Sequence, residues 1–89
     1  MALYEFYGET CSHCIKMMPL IDKLIGEGLP IEKLEVWNNA ENAEKMTPLA
    51  FEKCPGVPFF INTESDQWIC GEADEETVRK WAAGDKIEN

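Results

Sequence analysis

The period of the hydrophobic pattern changes within the first dozen residues, and that change constrains the fold more than any other feature of the chain. Residues 3–7, LYEFY, alternate as a strand does and are rich in aromatics, and Gly8 punctuates them. From there Cys11, Cys14, Met18, Ile21 and Ile25 recur at helical spacing on one stripe, with Lys16, Asp22 and Lys23 off it. A strand therefore runs directly into a helix, and the dithiol CSHC, residues 11–14, stands at the junction. Pro19 removes the hydrogen bond to the Ile15 carbonyl and should bend this helix, which Gly26 and Gly28 end.

The remaining punctuation is equally regular. IEKLEVW, residues 31–37, reads as a second strand, and Asn38 or Asn39 can cap a helix beginning near Ala40. Thr47 followed by Pro48 resembles a fresh cap, so a break in that helix is expected there. VPFFI, residues 57–61, is a continuous apolar run suited to a central strand covered on both faces, and QWIC returns after the NTESD turn as its antiparallel partner. Asp74 caps a last helix with Glu75 and Glu76 in its first turn, Arg79 and Lys80 further on and Gly84 at its end; Val78, Trp81 and Ala82 form its buried face.

The resulting order, βαβαββα, predicts an α/β domain with a four-stranded mixed sheet. The first βαβ crosses over right-handedly, the first and third helices share one face, and the second helix covers the other. With 89 residues there is room for a single domain, 1–89, and one core. A formal net charge of -9, from 17 acidic against 8 basic side chains, leaves no basic cluster for phosphates and argues against nucleic acid. No apolar run has the length of a membrane span, and MALYEFYGET has neither the basic nor the apolar part of a secretory signal. A monomeric cytoplasmic protein is the expectation.

The chemistry concentrates at the CxxC. Zinc usually takes four ligands in two closely spaced pairs, and the second pair is missing, since Cys54 and Cys70 stand far apart; no metal is expected. At a helix N-terminus, Cys11 would face unpaired N–H groups and the positive end of the helix dipole, which favour the thiolate. Three residues on, Cys14 lies within disulfide reach. Cys14 belongs to the apolar stripe and should be buried, with Cys11 at the exposed tip, so that Cys11 attacks and Cys14 resolves.

Three further residues stand out. His13 can place positive charge beside the Cys11 sulfur, or be a surface histidine without influence. Glu5 lies in an otherwise apolar strand; buried there it would have a raised pKa and could exchange a proton with Cys14, and if the face is less covered it is merely solvated. Pro58 must open its strand, and its bond to Val57 is a candidate cis peptide. If cis, it would turn the Val57 backbone toward the CxxC, where a substrate strand could pair with it.

YEFYGETCSHCIKMMPLIDKL resembles the active-site region of thioredoxins and of protein disulfide isomerase domains in its acidic residue, aromatic pair, CxxC and helix proline. GVPFFI resembles the cis-proline strand of that family, and CGEADEETVRKWA its final glycine and helix. The similarity spans nearly the whole chain, without the extra N-terminal strand and helix of typical thioredoxins. It implies a minimal thioredoxin fold, with Cys11 as nucleophile, Cys14 as resolving thiol, Glu5 as buried acid and Pro58 as the cis-proline after Val57. The SH between the cysteines is closer to disulfide isomerases and oxidases than to the thioredoxin GP, and Thr10 replaces the usual tryptophan.

Glutaredoxins are similar in length. Against their pattern, Glu9 stands near the usual basic residue, Gly56 replaces a threonine, and only Gly71 and Asp74 fit the last motif. The expectation is a thiol–disulfide oxidoreductase needing no bound cofactor, acting on protein disulfides and drawing electrons from a thioredoxin reductase-like protein or from glutathione. A glutathione-dependent glutaredoxin and a noncatalytic binding module of the same fold are the alternatives. Four cysteines allow three complete pairings. Cys54 could lie near enough to Cys11 for an alternative disulfide, and Cys70 is expected to be a buried free cysteine acting as a small apolar residue.

Overall fold

Two short apolar strands form the middle of the sheet, and everything else packs around them. The computed structural model describes residues 2–87. Strand β1 is Leu3–Tyr7, followed by helix α1 (Ser12–Gly26), β2 (Ile31–Glu35), α2 (Ala40–Ala50), β3 (Phe59–Asn62), β4 (Trp68–Cys70) and α3 (Glu75–Ala83). The sheet order is β2-β1-β3-β4; β1 runs parallel to β2 and antiparallel to β3, and β3 is antiparallel to β4. All four residues of β3 are buried, as expected for a strand covered on both faces.

The alternation of side chains along β1 divides the core in two. On one face Leu3, Ile31, Phe60 and Ile69 pack with Met17, Ile21 and Leu24 of α1 and with Val78 and Trp81 of α3. On the other, Phe6, Phe59 and Ile61 pack with Ala50, and Met46 and Leu49 of α2 close over them. Helices thus cover both faces, α1 and α3 together and α2 opposite. Among the described residues no helix is long and apolar enough to cross a membrane.

Several boundaries differ from those read in the sequence. The buried stripe of α1 is Cys14, Met17, Ile21 and Leu24, so Met18 and Ile25 flank the stripe instead of centring it. The helix passes through Pro19 and Gly26; just beyond, Gly28 adopts φ 104°, which glycine alone takes without strain, and Leu29 N–H closes back on the Leu24 carbonyl. Strand β2 stops at Glu35 because the Glu35 carboxylate accepts the N–H groups of Glu9, Trp37 and Asn38 and turns the chain out of the sheet. Helix α2 is unbroken at Pro48. Thr47 donates its hydroxyl to the Ala43 carbonyl instead of capping a new helix, and Pro48 sits so near the end that it forgoes one helical bond.

A buried amide joins the β3–β4 turn to α3. Asn62 donates to the Trp81 carbonyl at 3.0 Å and accepts the N–H groups of Glu64 and Ser65. Trp81 itself is fully buried and meets Phe60 edge-on, with ring centroids 5.5 Å apart. Trp81→Ala is therefore expected to cost about 3–5 kcal/mol, measured as a lowered urea midpoint; a loss below about 1 kcal/mol would contradict this packing.

Candidate functional site

The first turn of α1 is built around Cys11. Its backbone is extended, at φ -72° and ψ 117°, and its side chain serves as the N-cap: Sγ accepts the Cys14 N–H at 3.3 Å. The Cys11 N–H in turn donates to the Gly8 carbonyl at 3.1 Å, so a tight turn delivers the chain from β1 into the helix. Gly8 is required there because a Cβ would collide with the Trp37 indole, which lies across it. Trp37 is 54% exposed, and sequence reading missed its place over Gly8; no periodic signal marks a residue in the β2–α2 loop.

Cys11 is less open than expected. Only 6% of its surface is exposed, because the cap hydrogen bond turns Sγ back over the helix and the Val57 carbonyl closes on it at 3.7 Å, accepting from the thiol. The Val57–Pro58 bond is cis, the alternative that the resemblance implied. Cys14 lies beneath, fully buried, and both thiols are free. Burial first, and then its hydrogen bond to Cys11, push the Cys14 thiol up to about 12. A thiol held so firmly in its protonated form needs a base before it can attack.

Glu5 is the carboxylate at hand. It is completely buried, neither oxygen has a hydrogen-bond partner among the described residues, and its charge is felt at Cys14. Burial pushes its pKa up from 4.5 to about 7, against the opposing pull of Lys33, its register partner on β2. That ammonium is itself bound to Asp22 and reaches Glu5 only through space.

His13 lies at the surface. Its ring is 64% exposed, and Nδ1 meets the Glu72 carboxylate just beyond β4, an interaction that holds the Glu72 carboxyl below its usual range. Glu72 is a site residue that the sequence did not reveal, since it lies 59 positions from its partner.

Cys54 and Cys70 correct a second expectation. They are bonded to each other, with Cα atoms 5.4 Å apart; Cys54 is buried and does not pair with Cys11, and Cys70 is neither free nor buried. The reason is register: Cys70 lies opposite Phe59, and Gly71 N–H donates to the Pro58 carbonyl, which brings the end of β4 against the segment entering β3. Among the described residues no group of three or more His, Cys, Asp or Glu side chains gathers as a metal cluster.

A carboxyl carried from 4.5 to about 7 binds its proton more tightly in the folded protein than in the unfolded chain. The contribution of Glu5 to stability is then fully present below about pH 4.5 and is lost as pH rises through about 7, by about 3 kcal/mol. Glu5→Gln should remove this slope, so that urea unfolding at pH 5 and pH 8 shows the variant gaining stability over the native protein at the higher pH. Parallel slopes would mean that Glu5 is not buried as a carboxyl. No protein-family model, no curated protein and no solved structure matches the chain, so its chemistry is read from its own residues.

Proposed function

We propose that this chain is a thiol–disulfide oxidoreductase with a minimal thioredoxin fold, which reduces or exchanges protein disulfides through the Cys11/Cys14 couple and needs no bound cofactor. What carries the reading is a single arrangement. Two free thiols share the first turn of α1, the Cys14 amide bonded to the Cys11 sulfur, and the charge of a buried carboxyl with no hydrogen-bond partner among the described residues reaches Cys14. A purely structural dithiol has no use for that carboxyl, and burying it without a partner is costly.

The steps follow from the geometry. The Cys11 thiolate attacks one sulfur of a substrate disulfide; a mixed disulfide forms, and the other substrate sulfur leaves with the electron pair and takes up a proton. The Cys14 N–H, which donates to the Cys11 sulfur at the helix cap, stabilises negative charge there before attack. Ionised Glu5 then takes the Cys14 proton, and the Cys14 thiolate attacks the Cys11 sulfur. The Cys11–Cys14 disulfide forms as the second substrate thiolate leaves, two electrons having passed to the substrate. An external dithiol or glutathione restores the couple. The Val57 carbonyl, beside the reacting sulfur, is positioned to accept a backbone N–H of an extended substrate segment.

Cys11→Ser is expected to reduce turnover of a protein disulfide to the uncatalysed rate, whereas Cys14→Ser should accumulate the mixed disulfide, seen as an added mass on Cys11. Normal turnover in either variant would overturn the mechanism. Because the base must be ionised, the mixed disulfide of the native protein should persist longer as pH falls below about 7. In Glu5→Gln it should persist at every pH, by about 10-fold or more at pH 8; rapid-quench alkylation reads this directly. An equal lifetime in the two proteins would remove Glu5 from the reaction.

A further inference from the structure

We propose that the Cys54–Cys70 disulfide is a second thiol–disulfide exchange site, opened by an external thiolate attacking exposed Cys70, and that its opening raises the reactivity of Cys11. The two sulfurs differ in a way that sets the direction of attack. Cys54 is buried, whereas Cys70 is exposed and lines a cleft of about 510 Å³ together with Lys53, Trp68, Glu72 and Thr77. A thiolate entering this cleft meets Cys70 first. Cys54 Sγ lies 3.2 Å from the Gly56 carbonyl, an acceptor ready for the S–H that this sulfur acquires on leaving.

The exchange balances with a low-molecular-weight thiol as reductant. Its thiolate forms a bond to Cys70 Sγ as the Cys54–Cys70 bond breaks, and the electron pair departs on Cys54 Sγ, which is protonated by solvent. A second thiolate attacks the external sulfur of the mixed disulfide, releasing the oxidised thiol and leaving Cys70 as a thiolate. Two electrons have entered, and the bridge has become two thiols.

Both arms of the bridge end at the CxxC. Beyond Cys54 comes Val57, whose carbonyl accepts the Cys11 thiol; beyond Cys70 comes Glu72, whose carboxylate holds His13. The bridge therefore ties together the two segments flanking the dithiol. The Val57 carbonyl closes over the Cys11 sulfur, which is only 6% exposed, and shields it from an incoming reagent. Loosening the segment that carries Val57 uncovers that sulfur and should make Cys11 more reactive. The exchange step is independent of the function proposed above, whereas the benefit of tuning Cys11 rests on it.

The test separates these parts. In C11S/C14S, equilibrated with mixtures of reduced and oxidised glutathione and then alkylated, Cys54 and Cys70 should pass from bridge to two thiols within the range of those mixtures. C11S/C14S/C54S should retain glutathione on Cys70. A bridge that stays closed until the protein is denatured would overturn the proposal. In parallel, Cys11 in C14S/C54S/C70S should be alkylated about fivefold faster or more than in C14S, the lower end of ordinary coupling between sites; an equal or lower rate overturns the link to Cys11. Neither arm requires turnover, so an inert dithiol would refute the proposed oxidoreductase while leaving both results readable. Circular dichroism checks folding of the variants, and the reversibly reduced C14S protein replaces C14S/C54S/C70S should the latter not fold.

Discussion

One hydrogen bond carries a double duty at the start of α1. The helix needs an acceptor for its first N–H groups, and where serine, threonine or aspartate would ordinarily cap, this chain uses the Cys11 sulfur. Local helix formation and orientation of the candidate nucleophile are therefore the same event. The cap cannot form without bringing Cys14 beneath Cys11, and the tight turn that allows it depends on Gly8 lying flat under Trp37.

The rest of the fold gives that turn a dry floor. Strands β1 and β3 lie in the middle of the sheet, so residues on the α1/α3 side of β1 are cut off from water by Phe60, Ile21 and their neighbours. Leu3 gains from this, whereas Glu5 does not. Its burial without a hydrogen-bond partner works against folding, and the same desolvation brings its proton affinity into the neutral range. A cost to folding and a carboxyl that can exchange its proton near neutral pH share a single physical cause.

The features outside the dithiol are tied to it by short stretches of chain. Val57 and Cys54 lie on one approach to the first turn of α1, Cys70 and Glu72 on the other, and the disulfide joins the two across the entrance to β3. Exposed charge pairs such as His13–Glu72 add little to stability, so the meaning of that pair lies in where it holds the imidazole. It draws His13 toward the end of β4.

The element order, the two-sided covering of the sheet, the cap at Asp74, a cap at Asn38 or Asn39 and the placement of the CxxC at a strand–helix junction were all legible in the sequence. They depend on period, glycine, proline and capping chemistry, which act over a few residues. So was the suspicion attached to Glu5, because a carboxylate in an apolar alternation conflicts with its surroundings. The burial of Cys11, the Glu72 partner of His13, the indole over Gly8 and the Cys54–Cys70 bond were decided only by the tertiary structure. Each joins segments between 16 and 59 residues apart, and such contacts follow from strand register and loop path, which leave no periodic trace in the chain. A one-residue offset shows the same limit locally: helical spacing admitted Met18 and Ile25 to the core stripe as readily as Met17 and Leu24, and only packing against the sheet chose between them.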